Sequence, residues 1–209
     1  MPESLALRPI LFDIGGVIVD SHPDPEHIAS LIGDESPTFV SLVDQAMWAH
    51  RDAYDAGCSD REFWDRVSGD CGKPQVSDET LAQLVDYDAM RIHDANPDTL
   101  ALINELHDTG VPLGILSNAP HPIARELHNT QWVKAFTIFA FSCDIGACKP
   151  HRAIYRRALE LLDCSGCDVT FIDDRKRNVR AAELVGITGL LWNGAEQMRA
   201  QLVELGYLD

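Results

Sequence analysis

The chain has 209 residues, 45% of them hydrophobic, which is enough for one α/β domain with a smaller insertion and a normal buried core. Its formal net charge of −16 disfavours nucleic acid and anionic membranes as partners, because both are polyanions that attract basic surfaces. No apolar run approaches the roughly 20 residues of a membrane-spanning helix, and residues 1–8 lack a secretion-signal pattern, so we expect a cytoplasmic protein.

The six cysteines have a spacing that matches no small disulfide scaffold, so reduced thiols are expected. Cys164 and Cys167 form a single C-x-x-C pair, and no second pair stands at zinc-finger spacing from it. A metal or redox role for this pair is therefore disfavoured, although the sequence does not decide its role.

The first predicted element is a buried strand, Pro9–Phe12, which ends directly before Asp13. Gly15 and Gly16 then allow the backbone to turn sharply. From about residue 20 to about residue 93, apolar residues recur at helical spacing and no convincing strand is present. The N-terminal part of the chain is thus predicted to be a strand followed by an all-helical segment.

Helices and strands alternate from Asn96 to the end of the chain. The predicted strands are Pro112–Leu116, Thr137–Phe141, Val169–Ile172 and Gly189–Trp192. The predicted helices are 96–108, one from about His121, Arg152–Leu162, one from about Asn178, and a last one to Leu205. Such alternation predicts an α/β fold with a parallel, Rossmann-like sheet and helices on both faces.

The N-terminal strand needs a sheet to pair with, and the only predicted sheet is built from residues after about 110. We therefore interpret the helical segment, residues 20–93, as an α-helical cap inserted into a core of residues 1–19 and 94–209. A ligand site is expected between cap and sheet, at the carboxyl ends of the strands, as in open α/β sheets generally.

Polar residues lie at four such strand ends: Asp13, Ser117–Asn118, Lys149–Pro150 and Asp173–Asp174. The segments around them, Ile10–Ile18, Gly114–Asn118, Lys149–Pro150 and Phe171–Asn178, resemble in order the four motifs of the haloacid dehalogenase superfamily. The chain is most similar to members with a helical cap after the first motif, such as glucose-1-phosphatase-like proteins and the phosphatase domain of soluble epoxide hydrolase. The resemblance implies a Mg²⁺-dependent phosphatase that acts on a small phosphorylated metabolite, for example a sugar phosphate.

The resemblance also implies how the carboxylates act. Asp13 would attack phosphorus and form an aspartyl-phosphate, which divides one difficult hydrolysis into two easier steps. Mg²⁺ would be held by Asp13, the backbone carbonyl of Gly15 and Asp174, and would remove the repulsion between nucleophile and phosphate. Asp173 would stand behind Asp174 or reach the ion through water, although the order of these two aspartates can be reversed.

An acidic protein that binds a phosphorylated substrate needs a local positive field. By the same resemblance, Lys149 would neutralise the phosphoryl oxygens and keep Asp13 ionised. The Ser117 hydroxyl and the backbone N–H groups near Asn118 would donate hydrogen bonds to the same oxygens. Asn178 matches the last polar position of the fourth motif.

The chain departs from most phosphatases of the superfamily at Gly15, where they carry a second aspartate that serves as general acid and base. Such catalysis typically contributes about 10²- to 10⁴-fold. We therefore expect a preference for leaving groups that need little protonation, as in anomeric sugar, aryl or acyl phosphates. Asp20, His22 and Asp55 are candidates for a substitute acid, although surface polarity is the commoner reason for each.

The cap segment Tyr54–Trp64 resembles the family's specificity loop followed by a helix with Ser59 or Asp60 as its N-cap. Four ring-bearing residues of the cap can line a pocket, although packing is the commoner role: Trp48, His50, Tyr54 and Trp64.

Two alternatives stay open. A metal-independent 2-haloacid dehalogenase also uses an aspartate nucleophile and lacks the second aspartate, which agrees with Gly15 in this chain. Such an enzyme, however, carries Ser-Asn where this chain has Asp173–Asp174. A catalytically weak protein that binds a phosphate ligand is the other alternative, and the intact Asp13, Lys149 and Asp174 disfavour it. The sequence specifies neither the substrate nor the oligomeric state.

Overall fold

A computed structural model of the chain describes residues 8–20 and 22–209. Within these residues, five parallel strands form one sheet in the order β3-β2-β1-β4-β5. The strands are β1 (Ile10–Phe12), β2 (Leu113–Ser117), β3 (Ile138–Phe141), β4 (Thr170–Asp173) and β5 (Thr188–Leu191). The N-terminal strand lies at the centre of the sheet, and the predicted Rossmann-like α/β fold is confirmed.

Ten α-helices accompany the sheet within the described residues. They are α1 (Pro25–Ile32), α2 (Pro37–Asp55), α3 (Asp60–Asp70), α4 (Asp78–Met90), α5 (Pro97–Asp108), α6 (His121–Glu126), α7 (Ser142–Ile145), α8 (Arg152–Leu162), α9 (Lys176–Glu183) and α10 (Ala195–Glu204). Short 3-10 turns occupy Arg91–His93, Leu127–Asn129, Trp132–Ala135 and Gly166–Asp168.

Two strands extend one residue further than predicted, and both extensions concern the candidate site. Ser117 is the last residue of β2, where it pairs with Phe141, and Asp173 is the last residue of β4, where it pairs with Leu191. The sequence predicts that these strands end one residue earlier, at Leu116 and Ile172. Backbone pairing, however, is indifferent to side-chain polarity, so both residues are held by the sheet itself.

Both faces of the sheet are covered, as a parallel sheet requires. Along β1, Ile10 and Phe12 pack into the core on one side, with side chains of α5, α6 and α10. Leu11 points to the other side, where it packs with residues of α8 and α9 such as Tyr155 and Ala182. All three β1 side chains are fully buried. Because side chains alternate between the two covered faces, β1 has no solvent-facing position and is apolar throughout.

Helices α1 to α4 have a hydrophobic core of their own, which includes Phe39, Met47 and Trp64. The helix starts are set by local chemistry: the side chains of Asp24, Ser36, Ser59 and Ser77 accept hydrogen bonds from backbone N–H groups of the first helical turns. Of the two predicted caps for α3, Ser59 is the residue that serves.

The segments that connect the helical insertion to the sheet run side by side. Val19 forms an isolated antiparallel bridge with Ala95, and the Asn96 N–H donates to the Ile18 carbonyl at 2.8 Å. A separate core and paired connecting segments support the proposed division into a cap of residues 20–93 and a core of residues 1–19 and 94–209.

In the part of the chain that the structure describes, no helix combines the length and the apolar character needed to cross a bilayer. Residues 1–7, on which the expectation about a secretion signal rests, lie outside the described residues.

Candidate active site

Asp13 and Ser117 are in contact at the carboxyl ends of β1 and β2, beside the end of β4. Asp13 directly follows β1, and its N–H donates to the Ile172 carbonyl of β4 at 2.9 Å, which fixes the backbone at the strand end. The Ser117 hydroxyl donates to Asp13 Oδ1 at 2.7 Å, and the Ile14 N–H donates to the same oxygen at 2.7 Å. One oxygen of the carboxylate is thus oriented by two donors.

Lys149 reaches the same place from the loop before α8. Its Nζ lies 2.8 Å from Asp13 Oδ1 and 2.7 Å from Asp173 Oδ2, and it also donates to the Leu116 carbonyl at 3.0 Å. The lysine side chain is only 1% exposed. A buried ammonium therefore lies between two buried carboxylates.

Asn118 holds the loop that carries this lysine. The Lys149 N–H donates to Asn118 Oδ1 at 2.7 Å, and Asn118 Nδ2 donates to the Lys149 carbonyl at 3.1 Å. The side chain of Asn118 thus positions Lys149, a contribution that we did not predict, because only its backbone was expected to act.

Asp173 is the carboxylate of the site that accepts hydrogen bonds from the largest set of donors. It accepts hydrogen bonds from the Arg175 N–H at 2.8 Å and from Asn178 Nδ2 at 3.0 Å to both of its oxygens. Although burial opposes ionisation, Lys149 and these donors hold the pKa of Asp173 below its ordinary value. Asp173 is therefore the carboxylate that Lys149 keeps charged.

Asp13 is less well stabilised as an anion. Burial, supported by the charge of Asp173, raises the pKa of Asp13 to about 7, and Lys149 and Ser117 offset only part of this rise. One lysine cannot compensate two buried carboxylates, so a further cation is needed for Asp13 to be fully ionised near neutral pH.

The structure contains a place for such a cation. One carboxylate oxygen each from Asp13, Asp173 and Asp174 lies within 4.8 Å of the others. Asp174 Oδ1 is buried and has no hydrogen-bond partner within the described residues, and burial followed by the charge of Asp173 raises the pKa of Asp174. Oxygen donors alone are the set that suits Mg²⁺. The buried, unpaired oxygen of Asp174 fits a metal ligand better than Asp173, whose oxygens are already bonded.

Gly16 makes room for this carboxylate. A Cβ at Gly16 would overlap the carboxyl group of Asp174, and its φ of +77° lies in the left-handed region that favours glycine. The second glycine of the first motif is therefore required by the close approach of Asp174, which follows β4.

A cavity of about 300 Å³ lies between this cluster and the cap. From the core it is lined by Asp13, Gly15, Ser117, Asn118, Lys149 and Asn178, with Arg175 and Arg177 beside them. From the cap side it is lined by Asp20, Trp48, Arg51, Asp52, Asp55, Asp88 and Arg91. Of the residues predicted to act in catalysis or to bind phosphate or metal, all except His22, Asp173 and Asp174 contribute to this lining, and the last two lie in the carboxylate cluster.

The three candidates for a substitute acid occupy different environments. Asp20 and His22 have side chains that are 82% and 77% exposed, and they bond to each other, with His22 Nδ1 3.3 Å from Asp20 Oδ1. Asp55 is buried and receives a hydrogen bond from Arg51 Nε at 2.8 Å. Burial raises the pKa of Asp55, although Arg51 opposes this. Asp55 is thus the buried acid among the three, already engaged in an ion pair.

A charged network on the cap side was not predicted. Arg51 Nη1 lies 3.1 Å from Asp88 Oδ2, and Arg91 Nη1 lies 3.5 Å from Asp88 Oδ1. Arg91 Nη2 also donates to the carbonyls of Asp20 and His22 at 3.0 and 2.6 Å. The four-residue spacing of Arg51 and Asp55 on α2 indicates in sequence that the two side chains share one face of that helix. The Arg51–Asp88 pair has no such signal, because it depends on how α2 packs against α4.

The ring-bearing residues of the cap divide between packing and lining. Trp48 is 38% exposed and faces the cavity. Tyr54 and Trp64 are buried in the cap core, with Tyr54 stacked on Phe63 at a centroid distance of 4.1 Å. His50 Nε2 pairs with Asp70 at 2.8 Å. Trp48 alone of the four proposed residues lines the cavity.

Fold and site together define the class of protein: a Rossmann-like α/β protein whose strand ends carry a carboxylate–lysine cluster under a helical cap. The family model of the haloacid dehalogenase-like hydrolases matches residues 8–186, and the chain belongs to this family.

Two curated relatives are phosphatases. The chain is 36% identical to a sesquiterpene phosphatase from Aspergillus oryzae over 93 residues, which are 43% of this chain and 46% of that protein. It is 23% identical to the phosphoglycolate phosphatase of Yersinia pestis over 202 residues, 89% of this chain and 81% of that protein. The match thus spans about half the length of the first relative.

Solved structures share the fold at low sequence identity. A haloacid dehalogenase family enzyme from Bacteroides thetaiotaomicron, in complex with magnesium and inorganic phosphate, superimposes with a TM-score of 0.66 at 19% identity, covering 90% of this chain and 95% of that one. The L-2-haloacid dehalogenase of Xanthobacter autotrophicus gives 0.67 at 18% identity, covering 94% and 82%. The fold is therefore common to phosphate-binding and dehalogenating members and does not decide between them.

Proposed function

We propose that the chain is a Mg²⁺-dependent phosphatase that hydrolyses a small phosphorylated metabolite through an aspartyl-phosphate on Asp13. The observation that carries this proposal is the buried Oδ1 atom of Asp174, which has no hydrogen-bond partner within the described residues and lies beside Asp13 and Asp173. A dehalogenase that attacks carbon without a metal has no use for this third carboxylate, whereas Mg²⁺ binds oxygen ligands of this kind. The two phosphatase relatives support the same conclusion.

In this proposal Mg²⁺ is held by Asp13, Asp174 and the backbone carbonyl of Gly15, while Asp173 fixes Lys149. When bound, the ion lowers the repulsion between the Asp13 carboxylate and the phosphoryl group. The described hydrogen bonds and the ion pair of Asp13 converge on Oδ1, so Oδ2 is the oxygen that would remain available to the substrate or the ion.

The residues of the chain then have distinct tasks. An oxygen of Asp13 forms a bond to phosphorus as the bond from phosphorus to the leaving oxygen breaks. Lys149 and the Ser117 hydroxyl stabilise the charge that develops on the phosphoryl oxygens. Water next attacks the aspartyl-phosphate, which releases inorganic phosphate and restores Asp13. With glycine at position 15, the leaving oxygen departs without a proton from that position, so a stable leaving anion is favoured.

The cap side of the cavity indicates what kind of leaving group fits. Its lining carries four aspartates and two arginines: Asp20, Asp52, Asp55, Asp88, Arg51 and Arg91. This balance repels a second anionic group, and the arginines are already paired with aspartates. The exposed ring of Trp48 offers an apolar face. A neutral, hydroxyl-bearing or aromatic leaving group is thus favoured over an acidic one such as glycolate.

A panel of phosphate esters tests the proposal. Phosphate release is measured with Mg²⁺ and with a chelator for anomeric sugar, aryl, acyl and simple alkyl phosphates, and for phosphoglycolate. We expect release only with Mg²⁺, faster for the first three classes than for the alkyl and acidic esters, and none from Asp13→Asn. Halide release from 2-haloacids in chelator would favour the dehalogenase instead, and binding of phosphate esters without any turnover would favour a ligand-binding protein.

A further inference from the structure

A second group of metal-ligating side chains lies outside the candidate active site. His121 is the first residue of α6, and Cys143 and Asp144 lie in α7. One ligand atom of each lies within 4.8 Å of the other two. His121 Nδ1 is 3.5 Å from Asp144 Oδ1, and Cys143 Sγ is 3.9 Å from the same oxygen.

These distances suit a shared ion better than direct bonding. A separation of 3.5 Å is too long for a strong hydrogen bond between a nitrogen and an oxygen. Around a tetrahedral Zn²⁺, bond lengths of about 2.0 to 2.3 Å place the ligand atoms roughly 3.3 to 3.6 Å from one another. The side chain of Asp144 is 63% exposed, so it is free to turn towards an ion shared with His121 and Cys143.

The donor set selects a different metal from the one that suits the active site. Sulfur, imidazole nitrogen and a single carboxylate oxygen are ligands of Zn²⁺, whereas Mg²⁺ prefers oxygen alone. A metal binds the thiolate form of cysteine, so the Cys143 proton would pass to solvent on binding.

We propose that His121, Cys143 and Asp144 form a second metal site, for Zn²⁺ or an ion of similar softness, distinct from the Mg²⁺ carboxylates. Three protein ligands leave a fourth position for water. The site does not depend on the proposed phosphatase activity, because none of its three residues belongs to the carboxylate cluster.

The site lies where the cap meets the core. A Cβ at Gly57, in the cap loop between α2 and α3, would lie 2.9 Å from the Cys143 carbonyl and 3.6 Å from His121 Nε2. Next to it, the Ser142 hydroxyl donates to the Asp55 carbonyl of the cap, and its oxygen accepts from the Ala119 N–H of the core. An ion bound here would join α6 to α7 directly beneath the cap loop.

Cobalt titration tests the proposal, because Co²⁺ bound to a thiolate gives a charge-transfer band that binding to oxygen or nitrogen does not give. The reduced full-length protein is titrated with Co²⁺ in the presence of saturating Mg²⁺. We expect the band to saturate at one Co²⁺ per chain, to disappear when Zn²⁺ is added, and to be absent in Cys143→Ser. Cys167→Ser, which alters an exposed thiol, is the matched control and should keep the band.

Asp144 is the most exposed of the three ligands, so its substitution should leave the fold intact. Asp144→Asn should weaken Co²⁺ binding at least about tenfold, since even partners outside the coordination sphere commonly contribute that much. His121→Ala should do the same. The proposal is wrong if the parent shows no thiolate band, if the band persists in Cys143→Ser, or if Asp144→Asn and His121→Ala bind Co²⁺ as tightly as the parent.

Discussion

The charge of Asp13 should make the metal-free protein less stable as the pH rises, and Asp13→Asn should remove that effect. The pKa of Asp13 is raised from 3.8 to about 7 in the folded protein. Between these values the folded chain holds a proton that the unfolded chain has lost, so the free energy of unfolding falls as the pH rises through this window. The loss is complete only above the folded-state pKa.

The difference between the two pKa values sets the size of the effect. At about 1.4 kcal/mol for each pH unit, the interval from 3.8 to about 7 corresponds to about 4 kcal/mol, reached above pH ~8. Asparagine has the same shape and stays neutral, and its amide oxygen can still accept from Ser117 and Ile14. Asp13→Asn should therefore match the parent near pH ~4 and exceed its stability by up to about 4 kcal/mol at alkaline pH.

Urea unfolding in a chelator, at several pH values between about 4 and 9, measures this difference. Asp86→Asn makes the same change in net charge at an exposed position, and so controls for general charge repulsion. Mg²⁺ should restore the parent, by about 2.7 kcal/mol when its concentration is 100 times the Kd, and should affect Asp13→Asn much less. Parallel pH profiles for the parent and Asp13→Asn would refute the reasoning.

Three further predictions concern other parts of the site. Gly16→Ala should raise the Mg²⁺ concentration needed for half-maximal turnover, because the added Cβ would overlap the Asp174 carboxylate. Gly33→Ala is the matched control, since Gly33 also has a positive φ but faces open space. Equal effects of the two substitutions would contradict the overlap. Ser117→Ala should lower kcat about 10²-fold or more with an unchanged circular dichroism spectrum, and a loss below threefold would argue against its role as a donor. Arg51→Met should lower the free energy of unfolding by about 3 to 5 kcal/mol, because it leaves Asp55 buried without its partner and Asp88 paired with Arg91 alone. A change below about 1 kcal/mol in urea unfolding would contradict this.

The predictable part of the structure is the part that is encoded locally. Short apolar runs predicted the positions of all five strands, and the pattern is clearest in β1 and β2, where every residue is buried. The cap of α3 was likewise visible in sequence, since the Ser59 side chain acts on the first turn of its own helix.

The unpredicted part depends on contacts between distant segments. Asn118 and Lys149 are 31 residues apart, and their two hydrogen bonds exist only once β2 and the loop before α8 are side by side. The division of labour between Asp173 and Asp174 is equally hidden in sequence, because it depends on which carboxylate faces Lys149 and which faces Gly16. Register and packing decide these contacts, and neither can be read from residue types.

If the proposed function holds, the balance of charge in the site explains how a protein with a net charge of −16 would attract an anionic substrate. Three carboxylates, Asp13, Asp173 and Asp174, face one ammonium, that of Lys149, and this excess of two negative charges is what one divalent ion balances. The cap arginines add little field, because Arg51 and Arg91 are already paired with aspartates. In the proposed function, substrate attraction would depend on the bound metal together with Arg175 and Arg177 beside the cavity, and KM should rise as Mg²⁺ is withdrawn. A KM independent of Mg²⁺, with only kcat affected, would mean that other charges recruit the phosphate.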